Sequence, residues 1–232
     1  MKIKFLAVIT VLVLALSSLV ACDIGLKDKE YEATDDIYFE FVLREDGESY
    51  AISKKAGAAL PERIKLPAEH TEGEVTYPVV EVLEEGFIGE GALKSVIIPA
   101  GYEIIGVYAF VSCSIETLEI GAIQGVRTAD LTVKYGAFQD CTNLATVRLG
   151  ESVKVVSDYA FYNTKVSSVY LTKVEKIGYR SFGNCISLSS FYVPTSLVEI
   201  ADHAFEGSEN VRFTVSEGNP VYGIEDGKLI KK

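Results

Sequence analysis

Apolar and polar positions along this chain follow a unit that recurs. Six times a small residue precedes phenylalanine, a short polar gap follows, and an apolar-x-x-apolar-x-apolar run completes the unit. The phenylalanines are Phe87, Phe110, Phe138, Phe161, Phe182 and Phe205, at intervals of 23, 28, 23, 21 and 23 residues. The run reads Leu93-x-x-Val96-x-Ile98, Ile115-x-x-Leu118-x-Ile120, Leu144-x-x-Val147-x-Leu149 and Val166-x-x-Val169-x-Leu171 in four units. Phe191 with Val193, then Phe213 with Val215, carry it in the last two. Two apolar residues around one outward residue mark a strand with a single buried face. Ile64-Lys65-Leu66-Pro67 predicts an earlier copy that supplies a first coil. Pro67, Pro99 and Pro194 follow the strand, where a missing N–H ends the ladder at little cost.

Five residues before each phenylalanine stands an aliphatic: Val82, Ile105, Val133, Val156, Ile177 and Ile200. Three further back lie Val79, Tyr102, Val153, Val174 and Leu197, with Asp130 the one misfit. These positions predict a second, shorter extended segment on the opposite side of the coil. A unit of this size cannot bury its apolar face alone and must stack on its neighbours, so the period predicts a solenoid with the phenylalanines in one shared spine. The 28-residue unit carries about five extra residues in a return loop, Gly121 to Thr132, where an insertion leaves the stack undisturbed.

The phrases Tyr108-Ala109-Phe110, Gly136-Ala137-Phe138-x-x-Cys141-x-x-Leu144, Tyr159-Ala160-Phe161, Arg180-Ser181-Phe182-x-x-Cys185-x-x-Leu188 and His203-Ala204-Phe205 resemble the BspA-like leucine-rich repeat family of bacterial surface proteins. The flanks fit as well. Residues 38–53 alternate around Asp46-Gly47, a hairpin signal, and resemble the family's N-terminal cap. His70 to Val82 resembles its turn into the first full repeat. Asn219-Pro220-Val221-Tyr222 with Asp226-Gly227-Lys228-Leu229 resembles its closing hairpin. The resemblance implies a mainly β leucine-rich-repeat solenoid with short turns and helical pieces, a right-handed coil stack closed by hairpins at both ends. Its expected domain is 37–232: cap and first coil over 37–78, repeats over 79–215, and a closing cap over 216–232.

The N-terminus belongs to another category. A basic start at Lys2 and Lys4, an apolar stretch from Phe5, and small residues before Cys22 describe a secretory signal over 1–21. Leu19-Val20-Ala21-Cys22 resembles the bacterial lipobox, which implies lipidation of Cys22 and a membrane anchor. An ordinary secretory signal with an incidental cysteine, or a retained signal anchor, is the alternative. Residues 22–36 are acidic and aperiodic and read as a flexible tether. The whole chain carries a net charge of −11; loss of Lys2 and Lys4 leaves 20 basic against 33 acidic residues, −13. So negative a surface excludes a nucleic-acid partner and favours a basic one.

Candidate chemistry is sparse. Cys113, Cys141 and Cys185 each lie three residues after a spine phenylalanine. That recurrence predicts small residues lining a turn, with a Cys113–Cys141 bridge between neighbouring coils as the exception and zinc excluded for want of paired spacing. Only two histidines exist, His70 in a turn-rich stretch and His203 in a variable repeat slot, and both read as structural or surface residues. The acidic turns Asp35-Asp36, Glu45-Asp46-Gly47-Glu48 and Asp226-Gly227 lack the alternating oxygen ligands of a calcium loop. No enzyme motif, metal or cofactor is expected. Stacked coils place equivalent side chains in ladders about 5 Å apart. The outward strand position reads Lys65, Ile97, Glu119, Arg148, Tyr170, Tyr192, Thr214. Arginine and exposed aromatics anchor interfaces, so Arg148, Tyr170 and Tyr192, with Arg212 at the edge, form a candidate binding strip. The expected function is non-catalytic binding of a host or envelope protein, in adhesion or recognition, at the cell surface or outer membrane. A structural or assembly subunit of an envelope complex is the rival.

Overall fold

The computed structural model describes residues 32–122 and 129–232. Each coil contributes one strand to a main sheet and one to a return sheet, the return strand being shorter in most coils. The seven main strands are Arg63–Lys65, Ser95–Pro99, Thr117–Ala122, Thr146–Leu149, Ser168–Leu171, Ser190–Val193 and Arg212–Val215, all parallel and in chain order. Val96, Leu118, Val147, Val169 and Phe191 pair in register and point inward, as the alternation predicts. Ile64 heads this row on Arg63–Lys65, so the early copy does form the first coil.

The return sheet holds Val75–Val82, Ile104–Ile105, Leu131–Val133, Val153–Val156, Lys176–Ile177 and Glu199–Ile200. The aliphatics Val82, Ile105, Val133, Val156 and Ile177 are buried on it. The misfit at Asp130 resolves one residue later. Leu131 pairs with Val153 across a register shift and is fully buried, while Asp130 is exposed. The longer unit meets its neighbour with a bulge, which aligns the next residue instead.

Between the sheets the phenylalanines line up. Phe87–Phe110, Phe110–Phe138, Phe138–Phe161, Phe161–Phe182 and Phe182–Phe205 stack at 4.8, 5.2, 5.3, 5.3 and 5.8 Å between centroids, within 12° of parallel. Phe87 to Phe182 are buried and Phe205 is half-buried. Edge-on rings close both ends: Phe39 against Phe87, and Phe213 against Phe205.

The turns that carry the spine form a third ladder. Phe87, Phe110, Phe138, Phe161 and Phe182 each donate their N–H to the carbonyl of the next coil's Ala109, Ala137, Ala160, Ser181 or Ala204. Glu85, Tyr108, Gly136 and Tyr159, two before the ring, and the residues two after it do the same, while the residues between them fold back on their own turn, as Ala109 N to Gly106 O and Val111 N to Tyr108 O. Both flanking positions are left-handed. The one before holds Glu85, Tyr108, Gly136, Tyr159, Arg180 and His203, with φ from 47 to 61°; the one after holds Gly89, Ser112, Asp140, Asn163, Asn184 and Gly207.

The ends are closed by side chains and hairpins. Phe39–Leu43 pairs antiparallel with Tyr50–Lys54, and Glu69–Glu72 folds back on Val75–Val82. Thr34, inside the stretch read as tether, donates its N–H to Lys65 O and accepts Lys65 N–H on Oγ1, both at 2.9 Å. It thereby covers the open edge of the first main strand, whose backbone groups need partners. A 3-10 turn over Asp36–Tyr38, capped by Asp35, follows. At the other end buried Asn219 uses its whole amide. Nδ2 donates to Pro194 O and Leu197 O, and Oδ1 accepts from Val221 N and Tyr222 N. Tyr222, opening the Tyr222–Glu225/Lys228–Lys231 hairpin, accepts the Ile200 N–H on its hydroxyl at 2.7 Å and so ends the return ladder.

Candidate functional site

The main sheet's outer face carries the predicted strip. Register pairs Lys65 with Ile97, Ile97 with Glu119, Glu119 with Arg148 and Arg148 with Tyr170. The Arg148 guanidinium sits 5.9 Å from the Tyr170 ring centroid. Tyr192 follows one step after the Val169–Phe191 pair and is itself paired with Thr214. Tyr170 and Tyr192 are 47% and 49% exposed, which makes them the most open tyrosines of the fold's core coils. Arg212 pairs with Ser190 and so lies in the adjacent hydroxyl row, on the same face but two residues from Thr214. That row also contains Thr117, whose hydroxyl donates to Ser95 Oγ at 2.9 Å.

The return sheet's outer face is of another character. Arg44 bridges Glu81 at 3.0 Å and Glu103 at 3.8 Å, Lys154 lies between Asp130 and Glu175, and Lys176 meets Glu199 at 2.9 Å. Such solvent-screened pairs contribute little to stability and mainly keep that face solvated. Of the two sheet faces, the main one carries the exposed tyrosine rings.

The remaining candidates have structural duties. Cys113, Cys141 and Cys185 are free and buried. Their thiols donate to the carbonyls of Phe87, Phe110 and Phe161, the spine residues of the preceding coils, at 2.9, 3.1 and 3.2 Å. Ser208 donates to Phe182 O at 2.8 Å in the same manner. The bridge between Cys113 and Cys141 is therefore not formed. Burial pushes the Cys113 thiol up to about 12 and raises Cys141 and Cys185 as well, so none is a poised nucleophile. His70 stacks on Phe41 at 3.7 Å, lies edge-on to Tyr50, and contacts Asp36 at 2.7 Å through Nδ1, all within the N-terminal cap. His203 is exposed and faces Glu206 at 3.1 Å. Asp46 turns its carboxylate onto the N–H groups of Glu48 and Ser49, closing a tight turn. Among the described residues no group of three or more His, Cys, Asp or Glu could hold a metal ion. Cys22 and the signal over 1–21 lie outside the described residues. A second row of aromatics lies on the turns before the spine, where Tyr135 and Tyr179 stand three residues before phenylalanine and Tyr108, Tyr159 and His203 two before it, so no one repeat column signals it.

A family profile described as "BspA type Leucine rich repeat region (6 copies)" matches residues 130–223. Over that stretch the repeats are of the BspA leucine-rich type. The coils before residue 130 continue the same sheets and the same phenylalanine spine. Among solved structures, the pneumococcal vaccine antigen PcpA is similar over 84% of this chain and 52% of its own, at 20% identity and a TM-score of 0.68. A leucine-rich cell surface protein of Faecalibacterium prausnitzii A2-165 is similar over 87% of this chain and 59% of its own, at 22% identity and a TM-score of 0.61. The leucine-rich repeat protein of T. pallidum is similar over 78% and 69%, at 23% identity and a TM-score of 0.53. This chain thus spans about half the length of the pneumococcal antigen's structure. At these identities the likeness is one of fold. No curated protein sequence matches the chain. Among the described residues no helix is long and apolar enough to cross a membrane.

Proposed function

We propose that this BspA-type protein is a lipid-anchored extracytoplasmic binding protein, working without catalysis in surface adhesion or recognition. Its protein ligand contacts the strip formed by Arg148, Tyr170, Tyr192 and Arg212. The observation that carries the reading is the exposed pair of tyrosines beside a stacked arginine on an otherwise regular sheet face. Tyrosine and arginine give large contact area at low entropic cost and dominate interface energetics. Surface location draws on the signal-like start with Cys22 at its end, and on the names of two similar structures, a vaccine antigen and a cell surface protein. A diacyl or triacyl anchor on Cys22 would hold the protein stably where one chain is marginal.

The test combines Arg148→Ala, Tyr170→Ser and Tyr192→Ser in the purified protein, with capture measured against host matrix proteins and against envelope proteins of the producing bacterium. Loss of host-protein capture by at least tenfold, with the unfolding midpoint retained, is the expected result. Undiminished capture by a folded variant discards the strip. Capture of envelope proteins alone moves the function to an assembly subunit. Separately, Cys22→Ser should shift the protein from the detergent phase to the aqueous phase; partition that does not change removes the lipid anchor.

A further inference from the structure

On the turns that precede the spine, aromatic rings from successive coils touch. Tyr108 meets Tyr135 at 5.4 Å between centroids, Tyr135 meets Tyr159 at 5.4 Å, Tyr159 meets Tyr179 at 5.7 Å, and Tyr179 meets His203 at 5.9 Å. The row runs unbroken over five coils, on an edge separate from the main-sheet face. It adds little to the core, which the phenylalanine spine fills. Tyr135 is 38% exposed, His203 is exposed, and the other rings are half-buried.

The backbone beneath the row is held at a disadvantage. Tyr108, Tyr159, Arg180 and His203 have φ of 53, 57, 47 and 61°, in the left-handed region. There a residue with a Cβ is less comfortable than glycine, because the Cβ crowds the following carbonyl oxygen. Glycine does take the slot once, at Gly136, where a Cβ would lie 2.5 Å from the Tyr108 ring. Elsewhere large side chains stay there despite the strain, and strain of this kind gathers where display matters.

Charge decides what the row would receive. Asp158 and Asp202 stand exposed in the same repeat column as Tyr135 and Tyr179. The amides alongside are already engaged: Asn163 Nδ2 donates to Asp140 Oδ1 at 2.7 Å and Asn184 Nδ2 to Asn163 Oδ1 at 2.8 Å. Ring faces and carboxylates are what remain for a ligand, and together they attract cations. The row already receives one guanidinium from its own chain. Arg180 lies 5.6 Å from the Tyr179 centroid while its Nε donates to Glu206 Oε2 at 3.2 Å. Tyr135 offers its ring beside Asp158 without such a contact, while Tyr159, next along the row, already meets the Arg180 side chain through its hydroxyl.

We propose that this tyrosine row is a second interaction surface, which takes an arginine-rich segment of a basic partner protein. The net charge of −11 draws such a partner in, and the rings prefer a flat guanidinium to an ammonium. The test titrates the full chain with a labelled nine-residue arginine peptide and a lysine peptide of equal length. The arginine peptide should bind more tightly. Tyr135→Ser with Tyr159→Asn leaves every charge in place, and asparagine tolerates the left-handed slot. This pair should weaken arginine-peptide binding roughly 5- to 30-fold, the loss of two exposed cation–π contacts, and should erase the preference over lysine. Tyr170→Ser with Tyr192→Ser should change neither, which separates this surface from the main-sheet strip. Should the double variant lose its fold, Asp158→Asn keeps the oxygen that accepts the Tyr179 N–H and should lower affinity with a shallower salt dependence. Unaltered binding and arginine preference in a folded variant overturns the proposal. So does a neutral oligosaccharide that binds the row while the arginine peptide shows no preference.

Discussion

Three places after the spine phenylalanine, Cys113, Cys141, Cys185 and Ser208 reach back to the coil before, whereas Thr164 donates to its own Phe161 O and Glu90 meets Lys54. Those four sites need a small side chain with one donor, which thiol and hydroxyl both supply. The buried thiols make alkaline pH the natural probe. Cys113 has its pKa raised by burial from 9.0 to about 12. Below pH 9 folded and unfolded chains both hold the proton, and pH has no leverage through this group. Above it the unfolded thiol ionises while the folded one cannot, so stability falls as pH climbs from 9 toward 12. Cys113→Ser should fold, as Ser208 does in its own coil, and should lose part of that alkaline decline in unfolding midpoints. An identical decline in both proteins removes the thiol as its source. A hydroxyl can also be out of place. Ser181 occupies the slot of Ala109, Ala137, Ala160 and Ala204, is fully buried, and its Oγ has no hydrogen-bond partner. Ser181→Ala should therefore raise stability by about 1 kcal/mol in urea unfolding, since it removes an unsatisfied buried group without opening a cavity. A loss of stability would mean the hydroxyl is satisfied. The cysteine column could be read directly from the chain. The left-handed slots could be read only in half: glycine, asparagine and aspartate after the ring announce positive φ, whereas tyrosine, arginine and histidine before it do not.

Elements in this fold are as long as the ladder they must bond. Main strands of three to six residues were legible because inward residues flank one outward residue in every coil, and the same pattern named Arg148, Tyr170 and Tyr192 as neighbours. Return strands such as Ile104–Ile105 and Glu199–Ile200 span only two residues, too few to show a period of their own. They were found by their fixed offset from phenylalanine, and the offset fails where a coil lengthens, at Asp130 and Leu131. The hairpins at both ends follow from Asp46-Gly47 and Asp226-Gly227, since both residues of the second pair adopt positive φ, as a tight antiparallel turn demands. What side chains do at the ends had no signature. Thr34 on the first strand and Asn219 under the last coil depend on carbonyls and N–H groups contributed from tens of residues away. The tyrosine row was illegible for a related reason. Its members alternate between two adjacent slots, so no single column or strand contains them.

At the scale of the whole stack, energy is exchanged between neighbouring coils. Each interior phenylalanine stacks on one ring above and one below, and the parallel ladders likewise join a coil only to the next. Stability should then be a sum of coil terms and nearest-neighbour terms. The spine allows a direct test through paired substitutions. Phe138→Leu and Phe161→Leu each remove the stack these two rings share, along with one other apiece. Combined, they can lose the shared stack only once. The double variant should therefore fall short of the summed single losses by about 0.5–1.5 kcal/mol, the worth of one aromatic pair beyond burial. Phe87→Leu and Phe182→Leu share no ring contact, because three stacked phenylalanines separate them. Their losses should add within about 0.5 kcal/mol. Urea unfolding of the six variants measures both cycles. Equal coupling in the near and distant pairs would mean that the rings respond as one body, and the coil-by-coil account of stability would then have to be abandoned.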